Sequence, residues 1–213
     1  MDSTVREAGR RARRHAYEDG LAELVTGALF VAVGAYILAQ SLVKPGSVWW
    51  VLLGVGLPVL LLAGNWAAAR ATRALKSNIS YPRTGYVACA PSPGQCRAAR
   101  WLAVGVVVTL AILVLYSALV SPVLLGWMAL GQGVIVGAIL LMIGWQAGVV
   151  RMSLLASVSL VLGGLISYQK WDATLGSGVF YLAFGSVLLL TGAVMMARFL
   201  RANRPVSLDS DDE

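Results

Sequence analysis

Glu23 is the only acidic residue within an apolar run of this chain, and a carboxylate there can relay protons or hold a cation. Ionisable side chains inside a bilayer cost free energy and are usually retained for a function. Glu23 lies one turn into its run, at the end where arginines cluster. We therefore favour a carboxylate at headgroup level that pairs with a neighbouring arginine, and the proton or cation role is the alternative.

Gln132 is the uncharged residue best placed for a polar contact between helices. It lies beside a ridge of small residues, Ala129, Gly133 and Gly137, and such ridges let helix backbones approach closely in a membrane. A hydrogen bond between helices in that setting is typically worth about 0.6 kcal/mol. We expect Gln132 to make an interior contact of this kind.

Enzymatic chemistry is not predicted from these residues. The single histidine, His15, has no partners that would complete a metal or haem site. The sequence also lacks a phosphate-binding glycine loop and the HExxH and GxSxG patterns. We predict no enzyme activity, no cofactor and no metal.

Cys89 and Cys96 bracket the segment Ala-Pro-Ser-Pro-Gly-Gln. Two thiolates cannot complete a tetrahedral zinc site within one chain, although two copies of the chain could supply four. A structural disulfide is disfavoured in a reducing cytosol, which is where this segment is expected to lie. Free thiols are the favoured interpretation, and a redox-sensitive pair is the alternative.

The segment Ile79–Val87 carries the remaining candidate site, Tyr81, Arg83, Thr84 and Tyr86. Its Pro-Arg-Thr-Gly stretch is compatible with a type I turn, and the flanking residues favour strands, which predicts a small hairpin. Arg83 at the tip could bind a phosphate or carboxylate, with the tyrosines as hydrogen-bonding anchors. The alternative is a loop that covers one end of the helix bundle.

This segment resembles the Tyr-Pro-Arg-Thr-Gly-Tyr-Val motif of uncharacterised bacterial multi-pass membrane proteins, where the motif likewise follows the second span. The Glu18-Asp19-Gly20-Leu21 stretch before the first span looks similar too. The resemblance covers a short part of the chain and implies a membrane location in bacteria, without an activity.

Six apolar runs determine the predicted fold. Hydrophobic residues make up 58% of the chain and charged residues 13%, against roughly a quarter charged in soluble domains. A helix needs about 20 apolar residues to cross the hydrocarbon core. We predict an all-α membrane protein, a six-helix transmembrane bundle, from the runs Leu21–Val43, Val48–Ala69, Leu102–Leu119, Pro122–Ile143, Met152–Tyr168 and Leu175–Leu200.

The basic residues give the predicted orientation. All lysines and arginines except Lys44 and Lys170 fall on one side of the runs, which the positive-inside rule assigns to the cytoplasm. Both termini are then cytoplasmic, in a bacterial inner membrane. The net charge of +7 is explained by this asymmetry, with anionic lipid headgroups rather than nucleic acid as the partner.

The predicted segments follow from this layout. They are a basic cytoplasmic surface helix at the membrane interface (1–19), two transmembrane helices (20–69), a cytoplasmic loop (70–101), four transmembrane helices (102–200) and an acidic cytoplasmic tail (201–213). The first part of the loop, 70–76, is expected to continue the second helix.

Glycines recur every seven residues in the first and last runs, at 20, 27 and 34 and at 178, 185 and 192. Seven residues return to within about 20° on a helix, so each set forms one stripe. Such stripes suit helix packing within one bundle, a homodimer seam or the lining of a pore. The residues expected to serve packing are Gly27, Gly34, Gly133, Gly137, Gly185 and Gly192. We expect the first and last helices to pack similarly, with packing on each other as one arrangement.

These observations favour a non-enzymatic interaction or scaffold protein of the membrane, whose basic cytoplasmic face binds lipid headgroups or another protein. The alternative is a small passive channel or transporter with a glycine-lined path through the bundle.

Overall fold

The computed structural model describes residues 19–44, 46–80 and 125–203. The expectations for the N-terminal surface helix, the segment 81–101, the third run and the acidic tail therefore lie outside the described residues. Within the described ranges the regular structure is helical, and five helices are long and apolar enough to cross a membrane. An all-α architecture with several helices that could span a membrane is confirmed at that level. The helices are α1 (Leu21–Ser41), α2 (Val48–Leu75), α3 (Met128–Ala147), α4 (Val150–Tyr168) and α5 (Ala173–Ala202).

The chain divides into two compact units. Among the described helices, α1, α2 and residues 181–202 of α5 belong to the first unit. Helices α3 and α4 and residues 173–180 of α5 belong to the second.

Helix α1 starts at a glycine in the left-handed conformation. Gly20 has φ 70°, and the Asp19 carboxylate oxygen Oδ1 accepts the N–H of Leu21 at 3.2 Å. The helix runs to Ser41, close to the end of the apolar run from which it was predicted. The side chain of Ser47 then accepts the N–H of Trp50 and caps the start of α2, which satisfies one of the N–H groups that a helix N-terminus leaves unpaired.

Helix α2 continues beyond its apolar run, as expected for residues 70–76. It ends at Leu75, and a π-helical turn, Lys76–Ser80, follows it directly. The strand expected to begin at Ile79 is therefore wrong at that residue. Strand propensity depends strongly on context, and here the backbone of the preceding helix extends through Ile79 instead.

Helix α3 lies later in the chain than the run that predicted it. It begins at Met128 rather than Pro122, after a turn at Gly126–Trp127, and it ends at Ala147 rather than Ile143. Gly148 caps it in the left-handed conformation with φ 68°, and α4 begins two residues later. A connection this short makes α3 and α4 antiparallel neighbours.

Aromatic and aliphatic side chains form the core of the first unit. The ring centroids of Phe30 and Tyr181 lie 5.4 Å apart in an edge-to-face arrangement, and Phe30 also contacts Phe184. Phe184 is fully buried, and only a few per cent of the surface of Leu21 and of Leu188 is exposed. Helix α2 differs from α1 because none of its described residues is buried.

Candidate functional site

The candidate site lies at the end of the first unit where α1 begins and α2 and α5 end. Glu23 is buried there, with 4% of its surface exposed, one turn into α1. Its predicted position near the start of the helix agrees with the structure. Its pairing with an arginine stays a prediction.

Asp19 forms an ion pair in this region that the sequence analysis did not predict. It is 4% exposed, and its Oδ2 lies 3.7 Å from Nζ of Lys76, beyond the end of α2. The pair joins the start of α1 to the π-helical turn. A signal was present in the sequence, since Asp19 precedes the first run and Lys76 follows the second, on the same predicted side of the membrane.

Two arginines project from the last turns of α2. The Arg70 guanidinium lies over the Trp66 ring, 5.7 Å from its centroid, an attraction between the cation and the ring's negative face. Arg73 donates from Nε to the Ala69 carbonyl at 3.2 Å. Both arginines are exposed.

Helix α5 brings two more exposed arginines, Arg198 and Arg201, to its own last turns. The start of α1 touches α5 one turn before them, because a Cβ built on Gly20 would come within 2.8 Å of the Met195 Cβ. Since Asp19 contacts Lys76 while Gly20 contacts α5, the ends of α2 and α5 flank the same point of α1. We call the cations gathered there the basic end: Arg70, Arg73, Lys76, Arg198 and Arg201.

Two glycines of each stripe lie in the contact between α1 and α5, at positions 20 and 27 and at positions 185 and 192. A Cβ on Gly27 would lie 2.9 Å from the Gly185 carbonyl oxygen, and one on Gly192 would lie 2.7 Å from the Leu24 nitrogen. Real Cβ atoms do not approach backbone atoms this closely, so only glycine fits. Gly34 and Gly178 are also buried. The sequence left helix packing within one chain, a homodimer seam and a pore lining open for these glycines. Gly27, Gly185 and Gly192 lie in a helix contact within one chain.

A second close contact joins α3 and α4. A Cβ on Gly133 would lie 2.7 Å from the Ser159 carbonyl oxygen, and one on Gly137 would lie 3.3 Å from that of Ala156. The Ser159 hydroxyl donates to the Gly133 carbonyl at 3.0 Å. Both predicted ridge glycines therefore lie in this contact.

Gln132 makes a contact between helices. Its Nε2 donates to the Ser177 hydroxyl at 3.0 Å and so joins α3 to α5 within the second unit. Ser167 makes a second such contact, accepting the N–H of Leu130 at 2.9 Å. Sequence reasoning missed these serines because a serine in an apolar helix can equally bond its own backbone.

A further contact between helices joins α1 to α2. The Tyr36 hydroxyl donates to the Leu53 carbonyl at 2.8 Å, and this bond is partly buried.

The remaining predicted site residues, Tyr81, Arg83, Thr84, Tyr86, Cys89 and Cys96, lie outside the described residues. No family model matches this chain, and no curated protein or solved structure matches it either.

Proposed function

We propose that this chain is a non-enzymatic membrane protein whose basic end binds the anionic headgroups of lipids, so that it acts as an interaction or scaffold protein. The observation that carries the proposal is the exposure of Arg70, Arg73, Arg198 and Arg201 at one end of the first unit. Each is within about two turns of a helix end, on helices long and apolar enough to cross a membrane.

Electrostatics favours a lipid surface as the partner. A basic residue close to an anionic leaflet contributes roughly 1 kcal/mol of attraction, which falls off within a Debye length. We place the basic end at the cytoplasmic leaflet of a bacterial inner membrane, with both termini cytoplasmic, because the positive-inside rule assigns it there. A protein partner recognised by the same cations is the second form of this proposal.

The alternative function is a small passive channel or transporter. The glycines expected to line its path contact neighbouring helix backbones instead, at Gly27, Gly133, Gly185 and Gly192. Solute flux into liposomes that contain the purified protein is the measurement that would support a channel or transporter.

The proposed function is tested by the lipid that stays with the protein when it is extracted from membranes in polymer nanodiscs. We expect the extracted lipid to contain a higher fraction of anionic species than the bulk membrane. The fourfold variant R70A/R73A/R198A/R201A should lose that enrichment. A wild-type protein whose lipid matches the bulk composition would contradict the proposal.

A further inference from the structure

One face of α2 combines exposed apolar side chains with the aromatic and cationic residues of its last turns. Its members are spaced three and four residues apart, which places them on a single stripe of an α-helix. The stripe consists of Val55, Val59, Leu62, Trp66, Arg70 and Arg73. The first four are 66%, 61%, 75% and 64% exposed, and both arginines are exposed as well.

The contact between α1 and α2 lies on another side of α2. Tyr36 reaches the carbonyl of Leu53, and the Tyr36 and Leu29 side chains approach Gly56 and Gly64. At about 100° per residue, Leu53 and Gly64 lie on the side of α2 opposite the stripe, and Gly56 lies roughly 80° from the middle of the stripe. These contacts with α1 therefore leave the stripe uncovered within the part of the chain that the structure describes.

The order of residues along the stripe matches the layers of a lipid leaflet. Val55 and Trp66 are separated by about 16 Å at 1.5 Å per residue, close to half of the ~30 Å hydrocarbon core. The aliphatic residues then lie beside an acyl chain, and the indole lies at the boundary with the headgroups, where tryptophan is enriched. Arg70 and Arg73 follow about one and two turns further along, at the level of the phosphate.

Contacts within α2 hold both guanidinium groups at the end of the stripe. Arg70 is held over the Trp66 ring at 5.7 Å, and Arg73 is fixed by its Nε bond to the Ala69 carbonyl. That bond uses one of the five N–H donors of Arg73, and guanidinium groups bind phosphate through paired N–H donors. Lys76 is paired with Asp19 and is not counted in the site.

We propose that this stripe binds one anionic phospholipid, with its phosphate between Arg70 and Arg73 and an acyl chain along Leu62, Val59 and Val55. The inference rests on the proposed function and adds to it a defined site and the class of its ligand. Charge complementarity selects this occupant. A second copy packed by twofold symmetry through the same stripe would bring Arg70 and Arg73 close to their own counterparts, and like charges repel. A zwitterionic lipid would add its own cation beside the two guanidinium groups.

The test is a titration of the full chain in detergent with phosphatidylglycerol or phosphatidylcholine, followed by native mass spectrometry, which counts both bound lipids and chains. We expect the R70A/R73A variant to bind the first phosphatidylglycerol roughly 10- to 30-fold more weakly than the wild type, with phosphatidylcholine binding unchanged. The comparison variant is R198A/R201A, which loses the same charge from α5. There exposed Leu190 and Val194 also precede the arginines, but the helix contains no tryptophan. It should weaken the first phosphatidylglycerol clearly less than R70A/R73A does, because the stripe keeps both of its arginines.

A second variant, W66A, separates a defined site from general electrostatic attraction, because it keeps every charge. It should weaken the first phosphatidylglycerol severalfold. All these residues are exposed, so the variants are expected to fold, and helicity by circular dichroism checks this. Equal weakening in R70A/R73A and R198A/R201A, with no effect of W66A, would overturn the site but leave the proposed function standing.

Two other outcomes are also decisive. Absence of any preference for phosphatidylglycerol in the wild type would overturn both the site and the proposed function. A dimer that binds lipid equally well with and without Arg70 and Arg73 would assign the stripe to a second copy and overturn the lipid site.

Discussion

Gly27 of α1 and Gly185 of α5 lie so close that neither position has room for a side chain. A Cβ on Gly27 would come within 2.7 Å of the Leu189 nitrogen, and one on Gly185 within 2.7 Å of the Val31 nitrogen. Each helix thus packs directly against the backbone of the other. In a membrane, where lipid tails are as apolar as leucine, such close packing is a main source of attraction between helices.

Replacement of Gly185 by leucine should separate α1 from α5. We expect a loss of roughly 1–3 kcal/mol in the free energy of unfolding, the usual range for overpacking a tight contact. Thermal unfolding in detergent measures it. Gly131→Ala is the control, because nothing lies within 4 Å of a Cβ built there. A Gly185→Leu protein as stable as the control would show that the contact between α1 and α5 contributes little.

Gly20 combines a left-handed backbone with a close contact. Alanine there should destabilise the protein for two reasons, because φ 70° disfavours a side chain by about 1–2 kcal/mol and its Cβ would lie 2.7 Å from the Gly192 carbonyl oxygen. Gly46 has φ 80° with nothing within 4 Å, so Gly46→Ala measures the backbone effect alone. We expect Gly20→Ala to lower the melting temperature more than Gly46→Ala. Equal decreases in melting temperature for the two variants would mean that α5 moves aside for the added methyl group at little cost in free energy.

The Asp19 carboxylate has two roles that two substitutions can separate. Asp19→Asn can keep the bond from Oδ1 to the Leu21 N–H but removes the charge that faces Lys76. Asp19→Ala removes both, and loss of an intramolecular hydrogen bond typically costs about 1 kcal/mol. We expect Asp19→Ala to be the more destabilising by about that amount. A double-mutant cycle of Asp19→Asn with Lys76→Met then isolates the ion pair, and a coupling energy of zero would remove it as a stabilising contact.

The bond between Gln132 and Ser177 should be measurable in the same way. Gln132→Ala, Ser177→Ala and the double variant form a cycle, and we expect a coupling energy of about 0.6 kcal/mol, as found for such bonds between membrane helices. Unfolding in a mixed detergent system provides the energies. Strictly additive effects would indicate that the two side chains do not depend on each other.

The orientation of the protein is tested by reporter fusions. A reporter that is active only in the cytoplasm should be active after residue 203, and one inserted at Gly46 should report the opposite side of the membrane. A reporter at 203 that is active only outside the cytoplasm would reverse the proposed layout and move the basic end to the outer leaflet.

Much of the fold could be predicted because lipid imposes a simple rule on sequence. Long apolar runs must form helices to satisfy their backbone groups, and α1, α4 and α5 begin or end close to the bounds of their runs. The bounds of α3 were predicted less well, since apolar residues near Gly126 and Trp127 lie in a turn and hydropathy does not distinguish a turn from a helix. Glycine spacing identified the faces of α1 and α5, and packing of these two helices on each other was one of the arrangements expected from it.

The candidate site was predictable only in part. Clustered arginines indicated a basic end, and Glu23 lies near it as its position in the first run indicated, although its burial was not predicted. The pair between Asp19 and Lys76 and the stacking of Arg70 on Trp66 depend on side-chain distances that spacing alone does not define. Helical spacing alone places the residues of the stripe on one face of α2. Only the structure shows that α1 packs on another face of that helix.

The glycine contact between α1 and α5 also constrains how the chain assembles. Of the five helices, α1 is synthesised first and α5 last, so Gly20 and Gly27 can meet Gly192 and Gly185 only after α5 has been translated. Contacts between residues so far apart in sequence form late and at a high cost in chain entropy. If translation stalls before α5, helix α1 is left without its partner. Its small-residue face is then exposed to other membrane proteins and to quality-control proteases.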